Sequence, residues 1–391
     1  MKKRKLWSWP YIYILILYCF VQMVLYMITP VLSKYILNMG ESNATAGIIA
    51  GAFSITALVI RPFSGYFSDR FPKKWLLTIS LVVTFVSLAG YYMAAAPWQI
   101  FLFRLCQGAS YAVSTTVMMA MVSKIVDVEV RGAGIGYYAL AATLAAAVGP
   151  GIGLKVVEYA GYRRSILLAA VIALVAVAAS FFQPFQEEKG AKAEALGFRL
   201  QDLIAKEVLA LAGFSCLFSL SNGLMSNFLS ILGDERGILN ISLYFTVNAV
   251  VMAVTKPLSG RLTDRYGVHY IMYGAYFFCA VSLYLLAGAG SLAAVLAVAV
   301  LYGVGVGAGQ PALQAQSTKE VRIEQVGIAV STCYLGNDIG QGIGPVLGGL
   351  VSDHLGYGAM FFGAALLHTA AFFLFYLYER RRQKSGCWQG M

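Results

Sequence analysis

Ten consecutive residues of this chain return, position for position, 195 residues later. Arg61-Pro62-Phe63-Ser64-Gly65-Tyr66-Phe67-Ser68-Asp69-Arg70 is answered by Lys256-Pro257-Leu258-Ser259-Gly260-Arg261-Leu262-Thr263-Asp264-Arg265. The same offset carries Gly108 onto Gly303, Gly132 onto Gly327, Gly149-Pro150 onto Gly344-Pro345, Gly153 onto Gly348, and Gly161-Tyr162 onto Gly356-Tyr357. Five anchors in one register over half of a 391-residue chain require two halves that fold alike.

What those halves are made of follows from composition. The chain is 59% hydrophobic and 12% charged, a balance that a water-exposed surface could not support. Runs of about 20 apolar residues, the length that crosses the hydrocarbon of a bilayer, fall near 11–34, 44–67, 75–95, 98–122, 132–157 and 164–184. A second set falls near 208–232, 239–262, 270–289, 292–315, 326–352 and 358–378. Backbone groups in lipid must be bonded internally, and these runs lack the alternation of barrel strands, so all twelve are expected to be helices. The expectation is an all-α membrane protein of twelve transmembrane helices in two pseudo-symmetric six-helix bundles. The bundles are 1–183 and 208–391, joined by a polar, mixed-charge linker at 184–207.

The net charge of +11 does not point to nucleic acid. With the N-terminus inside, most basic residues, from Lys2, Lys3, Arg4 and Lys5 through Arg70, Lys73, Lys74, Lys124 and Arg131 to Arg380, Arg381 and Arg382, gather on one side. The other side keeps Lys34, Lys155, Arg163, Arg164 and Arg236. This asymmetry puts both termini in the cytoplasm of a cell-membrane protein. The Lys2–Lys5 cluster and the apolar run behind it resemble a signal peptide, but the run is too long and lacks a small-residue cleavage site, so it reads as a retained first helix. The six cysteines form no C-x-x-C pair and His269, His354 and His368 are scattered, so neither a metal site nor a nucleophile–base arrangement is expected. No G-x-x-x-x-G-K-[ST] occurs, so no cofactor and no ATP-driven chemistry are expected. Asn43 and Asn240 sit in glycosylation-type triplets, but each opens a helix, and capping is the expected role.

With two six-helix halves and a Gly-x-x-x-Asp-Arg loop after predicted helices 2 and 8, the chain resembles the major facilitator superfamily. Gly65-x-x-x-Asp69-Arg70-x-x-Lys73-Lys74 is similar to that superfamily's helix 2–3 motif, with Pro72 where a glycine is usual, and Gly260-x-x-x-Asp264-Arg265 is a weaker copy. The resemblance implies a cytoplasmic gating latch of Gly65, Asp69, Arg70 and Arg131, with Gly260, Asp264 and Arg265 in the second half, in which Asp69 faces the positive N-terminal end of helix 11. A local turn-capping role for Asp69 and Asp264 is the alternative. Arg104-x-x-Gln107-Gly108 resembles the helix 4 motif associated with proton coupling. Drug–proton antiporters of the superfamily carry Gly-x-x-x-Gly-x-x-x-Gly-Pro-x-x-Gly-Gly in helix 5. Here helix 5 reads Ala141, Ala145, Gly149-Pro150, Gly153-Leu154, and helix 11 holds the full form, Gly336, Gly340, Gly344-Pro345, Gly348-Gly349. Small residues at every fourth position make a flat stripe, expected to pack closely between the halves.

Charges inside a bilayer are costly and mark function. Four are placed there: Arg104, Asp338, Arg61 and Lys256, the last two able to snorkel to the cytoplasmic face. Asp338, deep in predicted helix 11, is the candidate proton site, with Arg104 modulating it or holding substrate charge; the alternative is a structural role for Asp338 beside Asn337 or Gln341. Polar stripes add Gln22, Tyr26 and Thr29 on helix 1, Gln107 and Tyr111 on helix 4, Asn222 and Ser226 on helix 7, Gln310 on helix 10 and Gln341 on helix 11 as candidate linings of a wet cavity. The reading is a monomeric secondary transporter that exchanges protons for a small organic molecule by rocking one half against the other. Proton-coupled uptake of a polar metabolite, such as a sugar or organic anion, and a non-transporting receptor or scaffold are the rivals; an enzyme is not expected.

Overall fold

In the computed structural model the described residues are 7–126, 131–184, 205–321 and 326–384. Within those helices the side chains at 62, 65, 66, 69, 70, 123, 131–133, 135, 136, 260, 261, 264, 265, 326–328, 330, 331 and 382–384 are not described. The chain divides into two compact units, Met1–Phe198 and Arg199–Met391. The first holds α1 (Trp9–Asn38), α2 (Asn43–Arg70), α3 (Lys73–Met93), α4 (Pro97–Ile125), α5 (Arg131–Ala160) and α6 (Tyr162–Phe181). The second holds α7 (Leu209–Glu235), α8 (Leu243–Tyr266), α9 (Val268–Ala287), α10 (Leu292–Lys319) and α11 (Val326–Lys384). No strand occurs among the described residues.

The helices begin and end where the local chemistry requires. Pro10 sits at the start of α1 and Pro97 at the start of α4, where a missing N–H is harmless. Ser42 caps α2 by accepting a hydrogen bond from the Thr45 N–H at 3.1 Å, and Ser291 does the same for α10 through the Ala294 N–H at 3.3 Å. The cap of α2 is therefore Ser42 and not Asn43, which is already the first helical residue. Asn240 stands before α8 with a φ of 57°, in a turn rather than at the cap position. The expected capping roles of both asparagines are corrected accordingly.

One expected loop is a single residue. Gly161, with φ 84°, breaks the chain between α5 and α6, and its counterpart 195 positions on, Gly356, takes φ 78° inside α11. Such a φ suits glycine, which has no Cβ to clash. α11 is thus two helical limbs that meet at Gly356, which is why eleven α-helices are counted among the described residues where the sequence suggested twelve.

Ten of the helical stretches among the described residues are long and apolar enough to cross a membrane. The described side chains of α8 run unbroken only to Ser259, and α8 is not among the ten. The outer surfaces carry Leu144, Val148, Leu167, Val171, Phe277 and Phe373, all exposed, as lipid-facing helices require.

Within each unit the same pairings recur. α1 packs on α5, α2 on α4 and α3 on α4 in the first; α7 packs on α11, α8 on α10 and α9 on α10 in the second. The glycine stripes make these contacts possible. A Cβ added at Gly336, Gly340 or Gly344 would run into the backbone carbonyl oxygen of Ala212, Cys216 or Leu220, and one at Gly348 would strike the Leu224 side chain. Four small residues at every fourth position of α11 therefore face four residues at every fourth position of α7, and backbones meet. In the first unit Gly149 and Gly153 face Met23, Tyr26 and Met27 of α1 in the same way, with the Met27 carbonyl 2.6 Å from where a Gly153 Cβ would lie. The contact made by these stripes is inside each unit, which replaces the expectation that they pack between halves.

Candidate functional site

In the first unit the geometry centres on α4. Arg104 is 2% exposed, and its Nη1 donates to Gln107 Oε1 at 2.8 Å. Tyr91 on α3 donates its hydroxyl to the same oxygen, also at 2.8 Å. The guanidinium lies over the ring of Phe53 from α2, 4.6 Å from its centroid, a cation–π contact that partly offsets lost hydration. Arg104 Nε is buried and meets no acceptor among the described residues. Phe53 in turn stands 5.2 Å from the ring of Tyr111. Phe53, Gln107 and Tyr111, with Thr84, Val21, Val24 and Leu25, line a cavity with room for about one water.

Of the sequence-predicted residues of this half, Arg104, Gln107 and Tyr111 thus come together. The α1 stripe does not join them at the cavity: α1 presents Val21, Val24 and Leu25 there. Gln22 is buried with its Oε1 unpartnered among the described residues, and Thr29 returns its hydroxyl to the Leu25 carbonyl at 2.8 Å. Tyr26 packs its Cβ near Gly149. Phe53 and Tyr91 were missed by sequence reasoning. A cation inside an apolar bundle needs a ring and an acceptor, but nothing in the period of α2 or α3 marks which aromatic supplies them.

In the second unit a polar knot ties three helices. Ser215 and Ser219 of α7 donate to Asn337 Oδ1 of α11 at 2.6 and 2.9 Å, and Gln310 Nε2 of α10 donates to Ser219 Oγ at 3.1 Å. Asp338 follows Asn337 and is half-buried, on the same helical face as Tyr334 and Gln341. Gln341 Oε1 lies 3.5 Å from Asn222 Nδ2, while Ser226 bonds the Asn222 carbonyl of its own helix. Ser215 and Ser219 stand at i and i+4 along α7, with Asn222 and Ser226 following at i+7 and i+11.

A second polar group lies deeper. His368, 1% exposed, places Nδ1 3.0 Å from the Ala364 carbonyl and Nε2 3.3 Å from Ser221 Oγ, which is 2.8 Å from the Tyr302 hydroxyl. The backbone carbonyl holds the proton on Nδ1, leaving Nε2 as acceptor. At one end of the same unit Glu379 accepts a hydrogen bond from Tyr273 and lies 3.7 Å from His269 Nδ1. Among the described residues no cluster of three or more metal-ligating side chains occurs.

The side chains of Gly65, Asp69, Arg70, Arg131, Gly260, Asp264 and Arg265, the expected latch, lie outside the described residues, although the helical backbones of α2, α5 and α8 run through these positions.

Comparison with known proteins agrees with this architecture. The family profile described as Major Facilitator Superfamily matches residues 14–239 and 209–389. Multidrug resistance protein 1 of Bacillus subtilis is 27% identical over 345 residues, covering 84% of this chain and 85% of that protein. The multi-drug resistance efflux pump PmrA of Streptococcus pneumoniae is 24% identical over 361 residues, covering 87% and 88%. The crystal structure of a bacterial homolog to the human lysosomal transporter Spinster superposes with a TM-score of 0.80 at 15% identity, covering 95% of this chain and 96% of that one. That likeness concerns the fold alone.

Proposed function

We propose that this protein, which belongs to the Major Facilitator Superfamily and is a multi-pass membrane transporter rather than an enzyme, exports a small organic molecule in exchange for protons. Its distant relatives among bacterial multidrug efflux pumps favour the outward direction. The observation that carries the exchange reading is Asp338, a half-buried carboxyl in an apolar helix beside the Ser215–Asn337–Ser219 knot. A carboxyl held there can take a proton from one side and release it when substrate arrives, which couples the two without ATP. α7, α10 and α11 are fixed to one another by the knot, so the carboxyl moves with its unit.

In this reading the two limbs of α11 and the polar α8 complete twelve transmembrane helices in two six-helix bundles. Residues 1–183 and 208–391 rock about a substrate held near the midplane, with 184–207 as a cytoplasmic linker. The protein works as a monomer in the cell membrane with both termini inside. Gln22, Tyr26, Thr29, Gln107, Tyr111, Asn222, Ser226, Gln310 and Gln341 contribute polar contacts to the transport path, and the Asp69 and Asp264 motifs form the cytoplasmic latch. Alanine at 141 and 145 and leucine at 154, where antiporters of the superfamily carry glycine, favour proton-coupled uptake as the second reading.

The test is purified protein in liposomes loaded with a pH-sensitive dye, an imposed proton gradient, and a panel of drugs and polar metabolites. Proton movement opposite to the solute is expected; movement in the same direction would establish uptake instead. Asp338→Asn should abolish proton-driven transport while leaving solute counterflow without a gradient in place. Wild-type pH-driven rates in that variant would remove Asp338 from the coupling role.

A further inference from the structure

Among the described residues Arg104 is a buried cation that forms no ion pair. From Trp9 to Phe181 the acidic residues are Glu41, Asp69, Asp127, Glu129 and Glu158, every one at a helix end or between helices. The guanidinium, by contrast, lies in the body of α4 at 2% exposure. What it has instead is one amide oxygen, which Tyr91 also uses, and one aromatic face. Its Nε proton is unspent among the described residues. A guanidinium offers five donors in a fork that matches a carboxylate, and a buried charge left without a counter-ion is strongly disfavoured. Neutral contacts of this kind hold the side chain in place without neutralising it. The charges that the sequence places inside the spans lean the same way: Arg61, Arg104 and Lys256 against Asp338 alone.

We infer that Arg104 is the anchor of a carboxylate subsite, and that the transported molecule carries a carboxylate, alone or as one end of a zwitterion, rather than being a purely lipophilic cation. This rests on the transporter reading above and adds the substrate class. The neighbourhood is arranged for it. Gln107 and Phe53, the two groups that occupy the guanidinium, both line the small cavity with Thr84 and Tyr111. The cavity has room for about one water and Arg104 does not line it, so a ligand carboxylate reaches Arg104 only as the bundle loosens there and the Gln107 oxygen is displaced; the released Gln107 amide and the Tyr91 hydroxyl then donate to the same anion. Gln107 and Tyr91 then act as positioning residues that keep the fork aimed while no anion is bound.

The experiment compares an acid with its neutral isostere on the intact protein in lipid nanodiscs, with no gradient. Dansylglycine and dansylglycinamide differ only at the carboxyl group, and both report binding by dansyl fluorescence. Wild type is expected to bind the acid at least tenfold more tightly than the amide. Arg104→Gln should bring the ratio close to one, and Arg104→Lys, which keeps the charge but not the fork, should retain part of it. An amide that binds wild type as tightly as the acid would overturn the inference, as would an acid preference that survives in Arg104→Gln. A merely structural arginine would weaken both probes together and leave the ratio unchanged. Because the measurement is at equilibrium, it does not depend on the direction of transport or on proton coupling, so failure of the antiport assay and failure of this one are separately readable.

Discussion

A single side chain closes one helix end in the second unit. Arg236, just past α7, donates Nη1 to the carbonyls of Leu286 and Ala289 at 3.2 and 2.6 Å and Nη2 to that of Ala287 at 2.7 Å. These are last-turn and following carbonyls of α9, at the negative end of its dipole; that of Leu286 also accepts from the Gly288 and Ala289 N–H groups. Charge-assisted bonds of this kind contribute about 1.5–3 kcal/mol when the acceptors would otherwise go unpaired. Arg236→Ala is expected to cost about 2 kcal/mol of stability, read as a lower midpoint of thermal unfolding in detergent, and Arg236→Lys to recover part of it. The sequence exposed the charge of Arg236 but not this role, because the carbonyls it meets lie about fifty residues further along the chain. Arg104 is the opposite case. Its depth and oddity were readable from the sequence, and only the ring beside it and the tyrosine that shares its acceptor needed coordinates.

At the scale of helices, the small-residue stripes can be tested against glycines that have room. Gly340 faces the Cys216 carbonyl oxygen, a backbone atom that cannot rotate away. Gly340→Ala should therefore push α11 off α7 and cost about 1–3 kcal/mol, as overpacking does, with the Ser215–Asn337 bond weakened at the same time. Gly151 lies between Gly149 and Gly153 on α5, yet a Cβ there meets nothing within 4 Å. Gly151→Ala should leave the midpoint unchanged or raise it, since alanine is favoured over glycine in a helix by up to about 1 kcal/mol. Equal losses in the two variants would mean that the stripes are not contact surfaces. The spacing of the stripe was legible in the sequence because a four-residue period defines a face. The neighbour was not, because a period says nothing about which helix lies opposite. A polar stripe such as that on α1 or α7 defines a face in the same way, and it too leaves the helix opposite unnamed.

At the scale of the whole molecule the duplication decides most of the fold. Gly161 and Gly356 adopt the same left-handed turn, Gly108 meets the backbone of Phe53, and Gly303 meets Val251 and Asn248, the last standing 195 positions after Phe53. A repeat this exact in register makes each half a template for reading the other, and the break at Gly356 inside α11 matches the one at Gly161 between α5 and α6. Under the proposed rocking of two like halves, the Asp69 motif is the element proposed to set the balance between the two states. If Asp69 meets the positive end of a helix from the other half, removing its charge takes about 0.3–1 kcal/mol from the outward-open state, the usual worth of a charge at a helix end. Between states of similar energy that shifts the population ratio roughly twofold to fivefold. Asp69→Asn is therefore expected to shorten the outward-open fraction and lengthen distances between spin labels placed at the cytoplasmic ends of α4 and α10. The second copy carries Asp264 without the trailing basic pair that Lys73 and Lys74 supply in the first, so Asp264→Asn should shift the distances less. Distance distributions identical to wild type in the Asp69 variant would mean that this carboxyl caps its own turn. Equal shifts in the two variants would mean that the halves gate symmetrically and that the basic pair contributes nothing to the balance.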